Sequence, residues 1–275
     1  IGSSEAVKIN ETSNDQKQYQ FQLQTDYILP FENGSQFEMG YKGNFNSIRN
    51  PYEVIADGSV NDYLSNTLQY KERINALYTQ YGFKLKKFSY LFGLRWEDTT
   101  IDINSLREPN ILFNTKKYNN FFPSLFLTYE LNNDSNISLN YSKRITRPRD
   151  RFINPFSSYT SNTNLFIGDP KLNPSFTDAF DIGYLKKWDK TTISTSAYYN
   201  HTTDAFQTVR KESGQFFNGI PVIENTPFNL GEDNRIGMEV TLNYTVKKWW
   251  KLNTNVNYFY NETKGNYQFI NSNNT

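Results

Sequence analysis

Residues 236–260 read IGMEVTLNYTVKKWWKLNTNVNYFY. Ile236, Met238, Val240, Leu242, Tyr244 and Val246 alternate with Glu239, Thr241, Asn243 and Thr245. After a break at Lys247-Lys248 the alternation resumes. Trp250, Leu252, Val256, Tyr258 and Tyr260 are interleaved with Lys251, Asn253, Asn255 and Asn257. A period of two puts successive side chains on opposite faces of a strand. Two such runs joined by a short break predict an antiparallel hairpin with one apolar and one polar face.

The same period recurs in both directions from this hairpin. Tyr19, Phe21, Leu23, Tyr27 and Leu29 alternate with Gln20, Gln22, Gln24 and Asp26. Phe37, Met39, Tyr41 and Phe45 follow. A third run has Leu68, Tyr70, Ile74, Ala76 and Tyr78 as its apolar set, interrupted by Glu72. Further runs center on residues 88–96, 121–131, 137–145, 180–188 and 193–199, giving about ten strands of about 10–15 residues. Globular strands are usually nearer five or six. The connections alternate in length. Short ones fall at residues 30–34, 83–86, 132–134, 189–190 and 247–248. Long ones are expected at about 47–66, 100–118, 147–176 and 201–234.

Composition narrows the class. Hydrophobic residues are 37%, below the roughly 45–50% of a soluble domain, while aromatics reach 17%. A chain with 22 Phe and 20 Tyr is not disordered. No run of about 18 apolar residues exists, which excludes membrane helices. A net charge of +1 gives no electrostatic case for nucleic acid. The absence of Cys excludes disulfides and Cys-ligated metals. Alternating faces fit a soluble sandwich or solenoid as well as a membrane barrel. Strand length, Tyr and Trp near strand ends, and alternating loop lengths favor the barrel. The expected fold is therefore all-β: an antiparallel up-and-down transmembrane β-barrel with short periplasmic turns and long extracellular loops. Backbone groups in hydrocarbon must all be paired, so such strands belong to a closed ring.

Topology carries a further expectation. If the short turns are periplasmic, both ends of the chain lie on the extracellular side. A complete barrel starts and ends in the periplasm and finishes on an aromatic residue. Residues 1–275 thus read as a single partial barrel, an internal slice of a larger one, although closure of ten strands on themselves stays open. The polar residues 1–18 do not read as a signal peptide.

Three segments carry a resemblance. They are Phe121-Phe122-Pro123-Ser124-Leu125, then Tyr141-Ser142-Lys143-Arg144-Ile145-Thr146-Arg147-Pro148, then Leu165-Phe166-Ile167-Gly168-Asp169-Pro170-Lys171-Leu172-Asn173-Pro174. With Ile153-Asn154-Pro155-Phe156 between the last two, they resemble the C-terminal barrel of TonB-dependent receptors from the Bacteroidetes, the outer membrane protein β-barrel family. Gly168-Asp169-Pro170 departs mildly from the family's Gly-Asn-Pro. The resemblance covers about residues 85–265 and places the motifs in a long extracellular loop at 147–176. It implies a parent barrel of about twenty-two strands, a plug domain that this chain lacks, and a Gram-negative outer-membrane location. It also implies uptake of a nutrient such as a siderophore or glycan, driven by the TonB complex through that missing plug.

Candidate ligand-binding residues are Arg144, Arg147, Arg149 and Arg151, beside Lys143. Guanidinium groups suit carboxylates and acidic sugars. The competing role is to pair with Asp150, Asp169 and other loop carboxylates or with lipopolysaccharide. His201 is the only His and no GxSxG motif exists, so no catalytic set is expected and the chain is not read as an enzyme. No metal site is expected, because acidic loop residues such as Asp98 and Asp102 lack EF-hand spacing. No cofactor motif is present. Glu72 and Lys186 are expected above or below the apolar band. The expected partners are outer-membrane lipid or lipopolysaccharide, the TonB complex, and a surface lipoprotein. A second reading is a structural barrel that anchors a partner lipoprotein or a secretion assembly.

Overall fold

The computed structural model describes residues 4–5, 9–62, 64–107, 110–156 and 158–265. Ten long strands dominate it: β1 Lys17–Pro30, β2 Gln36–Ala56, β3 Asn66–Leu85, β4 Phe88–Arg107 and β5 Asn110–Asn132. The second half holds β6 Ser135–Thr146, β7 Ser175–Lys187, β8 Thr191–Phe217, β9 Ile220–Lys247 and β10 Trp250–Gly265. Each pairs antiparallel with its sequence neighbor, so the sheet is one continuous meander. The wall is all-β and up-and-down, as the alternation predicts.

One face carries an unbroken apolar belt. Across the register, Phe21 faces Phe45, Leu77 faces Trp96, and Tyr90 faces Leu127. Leu127 faces Leu139, which faces Ile182; Ile182 faces Ala197, which faces Met238; Met238 faces Tyr258. These side chains stay open to the surroundings, with Leu139 at 49% and Val256 at 58% exposure. An apolar surface spanning ten strands would aggregate in water. On β4 the belt runs over residues 88–96, close to the 9–11 residues with which a tilted strand crosses hydrocarbon. Aromatic rings edge it on both sides. Trp96, Phe121, Tyr141, Phe180 and Tyr199 stand toward the loop end. Phe83, Tyr90, Phe88 and Tyr129 stack toward the turn end, with Phe83 and Tyr90 centroids 4.8 Å apart. Lys186 lies at that edge over the Trp188 ring, 5.8 Å from its centroid.

The opposite face is polar and tightly ordered by small residues. Gly40 sits directly across from Tyr78, and Gly237 from Tyr198. A Cβ on either glycine would come within 2.5 Å of the facing ring. The glycines thus let the two tyrosines lie flat across the neighboring strand, as aromatic cover over sheet glycine does generally.

The connections correct the expectation from sequence. Of the four long connections, three are extensions of the strands themselves. Strands β4 and β5 run to Arg107 and from Asn110. Strands β8 and β9 run on to a two-residue turn at Asn218-Gly219, with φ of 49° and 77°. β2 ends in a similar turn at Asp57-Gly58, with φ of 50° and 79°, and the short strand Ser59–Val60 folds back onto it. Paired positive φ values mark the hairpin turn whose twist matches its strands. The strands are therefore 12 to 28 residues long; β1, β6 and β7 keep within the expected 10–15 and the other strands exceed it. Only residues 147–174 form a true long connection. It holds a four-residue helix, α1 Asp150–Ile153, and a small hairpin of Ser158–Ser161 with Asn164–Phe166.

A second correction concerns β3. Its run Leu68, Tyr70, Ile74 and Ala76 belongs to the polar side of the wall, not to the belt, and is buried. Segment 147–174 lies over it. Ile153 and Leu172 pack with Ile48, Leu68, Tyr70, Ile101 and Ile103, and Phe152 and Phe206 flank them. The buried core thus sits between the inner wall and this segment at the loop end, rather than between two sheets.

Candidate functional site

The candidate site is the concave face at the loop end, where segment 147–174 crosses from one side of the wall to the other. At one side, Tyr159 N–H donates to the Tyr52 hydroxyl at 2.7 Å, tying the segment to β2. At the other, Asn164–Phe166 pairs in parallel with β9 at Ile223, Glu224 and Asn225. Asn173 and Asn229 exchange hydrogen bonds of 2.8 and 3.1 Å, adding a second tie to β9. Strands β2 and β9 are seven places apart in the meander. The mouth is thus spanned by this one segment.

Its motif residues explain how it holds its shape. Helix α1 is too short to satisfy its own carbonyls. Gly168 N–H donates to Asn154 O at 2.8 Å, and Asp169 N–H to Phe152 O at 2.7 Å. A Cβ at Gly168 would stand 2.6–2.7 Å from the carbonyls of Asn154, Phe152 and Arg151. Only glycine fits there. Asp169 Oδ1 accepts from Lys171 N–H at 2.8 Å and closes the next turn. Asn154 accepts from Ser105 at 2.9 Å and donates to Asn66 at 3.1 Å, which docks the helix on β4 and β3.

The four arginines singled out from sequence go to different places. Arg147 is embedded in the wall. Its Nη2 donates to Glu97 Oε2 at 2.5 Å and Thr99 Oγ1 at 3.1 Å, and its Nε to the Tyr118 hydroxyl at 3.2 Å. Glu72 stands 3.9 Å away, and Arg95 holds the other Glu97 oxygen at 2.5 Å. Its carboxylate partners are therefore in the wall, not at Asp150 or Asp169. Glu72 faces inward, beyond the belt. Arg151 lies over the Phe166 ring, 4.4 Å from its centroid. Arg149 is exposed ahead of α1. Arg144 points to the concave side, its Nε donating to Ser142 at 3.1 Å.

Burial tunes this cluster. On β3, β4 and β5 the belt ends at Leu77, Trp96 and Phe121, so Tyr70, Lys116 and Tyr118 lie beyond it. Burial pushes the Tyr118 phenol above its usual range, and pushes Tyr70 up further with the help of the Glu72 charge. Burial pulls Lys116 down, while its ammonium donates to the Leu172 carbonyl. Burial also opposes the Arg147 charge, but Glu97 and Tyr118 more than offset that and raise it.

Deeper on the concave face are two polar hollows. One, of about 460 Å³, gathers Arg144, Asn140, Tyr198 and Arg235 with the carboxylates Asp181 and Glu239. Arg235 was not evident from sequence. Its guanidinium lies 3.7 Å from the Phe259 centroid, and its Nε is buried without a partner. The other, of about 330 Å³, presents Asp26, Lys42, Tyr78, Gln80 and Arg95. Such donor-rich hollows bind oxygen-rich molecules. Among the described residues no group of acidic or His side chains is arranged to hold a metal. His201 Nδ1 is 2.8 Å from Asn234 Oδ1, on the belt side of the wall.

No curated protein matches the chain at a significant level. Several solved structures share its fold. The copper transporter OprC superposes with a TM-score of 0.69 at 11% identity, over 91% of this chain and 39% of that one. The ferric yersiniabactin uptake receptor FyuA from Yersinia pestis gives 0.65 at 14%, over 91% and 36%. The ferric citrate transporter FecA gives 0.66 at 13%, over 93% and 38%. The chain thus spans about two fifths of the length of these structures. Its family is shown by a separate match, from residue 2 to residue 275, to a model of the outer membrane protein beta-barrel family. The belt, the polar inner face and this end-to-end match agree: the chain belongs to that family and resides in the outer membrane.

Proposed function

We propose that this chain forms part of the wall and mouth of a TonB-dependent receptor of the Bacteroidetes type. The receptor imports a bulky, oxygen-rich nutrient such as a siderophore or an acidic glycan. The observation that carries the reading is the concave face. It is polar, has Arg144 and Arg235 lining one hollow, and is spanned at one end by segment 147–174. In this reading the loop end is extracellular and the turns are periplasmic. The wall does no covalent chemistry. It orients hydrogen-bond donors toward the ligand, while import is driven through a plug that TonB pulls. Likeness in fold to receptors for metal chelates supports the transport class.

The test is uptake in cells producing the parent protein, with candidate ligands supplied and TonB present or deleted. The expected result is TonB-dependent accumulation. Arg144→Gln combined with Arg235→Gln weakens ligand binding at least about tenfold at an unchanged outer-membrane level. Equal accumulation without TonB overturns the reading.

A further inference from the structure

The belt side of the wall carries a charge asymmetry just beyond the aromatic edge at the loop end. On the first five strands, the outward residues there are Lys17 of β1, Arg49 of β2, Lys71 and Arg73 of β3, and Lys117 of β5. Asp98 and Asp102 of β4 stand among them. On the last five strands, the outward residues next beyond the aromatic edge are Lys143, Asp178, His201, Asn234 and Glu262, with Glu232 and Lys264 one outward place further. One half of the rim is basic and the other is nearly balanced.

The register brings two of the cations together and sets a carboxylate against a third. Lys17 faces Arg49 directly across the strand pair, and Lys71 faces Asp102. Like charges placed opposite each other destabilize a sheet. Among the described residues, only Arg73 of these five cations holds a carboxylate, Asp102 at 2.8 Å. Directly below the cations, a hollow of about 410 Å³ opens on the same face, walled by Tyr19, Phe21 and Phe45 and rimmed by Lys71 and Arg73. The Phe21 and Phe45 centroids are 6.1 Å apart.

An apolar hollow at the depth of acyl chains, topped by cations at the depth of headgroups, fits an anionic lipid better than any soluble ligand. We infer that the outward face of β1–β5 binds a phosphorylated glycolipid of the outer leaflet. Its phosphates sit on Arg49, Lys17 and Lys71, and an acyl chain lies against Tyr19, Phe21 and Phe45. The Arg73–Asp102 pair fixes one edge of the site. The inference rests on the loop end being extracellular, since that leaflet carries the phosphorylated glycolipid.

The protein, purified from outer membranes in mild detergent, is titrated with diphosphoryl lipid A. Native mass spectrometry reads the retained lipid, with phosphatidylethanolamine and inorganic phosphate as comparisons. The expected result is retention of diphosphoryl lipid A at concentrations where phosphatidylethanolamine is lost. Arg49→Gln with Lys71→Gln weakens it at least about tenfold, and Lys143→Gln on the balanced half leaves it unchanged. Equal retention of phosphatidylethanolamine, or no loss in the double variant, overturns the site. Full displacement by millimolar phosphate also overturns it, because the acyl hollow would then contribute nothing. Orientation is read separately, by labeling Glu212→Cys on intact cells with a membrane-impermeant maleimide. Labeled cells without lipid retention reject the lipid site alone. Unlabeled cells reject the orientation on which both readings stand.

Discussion

Arg147 reaches across β5 to Glu97 on β4, with 2.5 Å between Nη2 and Oε2, and takes a hydrogen bond to Tyr118 of β5 on the way. One side chain at the root of segment 147–174 thus joins three strands of the wall. Both partners are largely buried, at 18% and 9% side-chain exposure. Removing one partner of such a pair strands a charge and costs about 3–5 kcal/mol, whereas an apolar replacement of both costs less. Arg147→Met should free the segment at its root, and Glu97→Gln should do so nearly as much. The double variant Arg147→Met/Glu97→Leu should recover part of the loss. A double-mutant cycle on protease sensitivity of residues 147–174 reads this. Additive losses would show that the pair does not anchor the segment.

Gly168→Ala should release the same segment by a different route. The added Cβ meets three carbonyls at 2.6–2.7 Å, all of them backbone. Overpacking of this kind costs about 1–3 kcal/mol. Hydrogen exchange should rise at residues 150–173 while far-ultraviolet circular dichroism of the wall stays the same. Unchanged exchange would mean that α1 can move aside.

Alkaline pH should loosen the docked segment. Tyr70 and Tyr118 titrate above their ordinary value of 10.0 because they are buried. The folded state therefore keeps its protons longer than the unfolded one. The stabilization is fully present below about pH 10 and is lost as pH rises beyond it. Absorbance at 295 nm should show a late phase of phenol ionization. Tyr70→Phe with Tyr118→Phe should remove that phase. A wild-type titration with no late phase would contradict the buried setting.

The two faces of β6 should answer differently to the same substitution. Leu139 lies in the belt, and its neighbor Asn140 on the concave side. Leu139→Arg should cost about 2–4 kcal/mol of folding into lipid, while Asn140→Arg should cost far less. Folding into vesicles, followed by the heat-dependent gel shift of a barrel, separates them. Equal losses would mean that the belt does not face hydrocarbon.

Much of the wall was legible because each strand's pattern needs only its own residues. The alternations of β9 and β10 and the short turns at 30–34 and 132–134 are local signals. Strand lengths were missed because Asp57-Gly58 and Asn218-Gly219, both strong hairpin signals, lie inside stretches that read as polar loops. Beyond the belt, alternation fades while pairing continues, since water tolerates polar residues on both faces. The direction of Leu68 and Tyr70 is not legible locally, because an apolar face can be covered by a distant segment as readily as by lipid. Arg147 stands out in sequence as one of a cluster of cations, but Glu97 and Arg235 do not. Nothing near either residue marks the partner that the meander brings to it.

The tie between Tyr52 and Tyr159 has a kinetic consequence. These residues are 107 positions apart, whereas the short-turn hairpins close over a few residues. Loop closure must precede the reward of any distant contact, so nonlocal contacts form slowly. The hairpins should zip first, pair by pair along the meander. The span across the mouth should settle only after β9 has joined. Until then nothing in residues 147–174 ties β2 to β9 across the mouth.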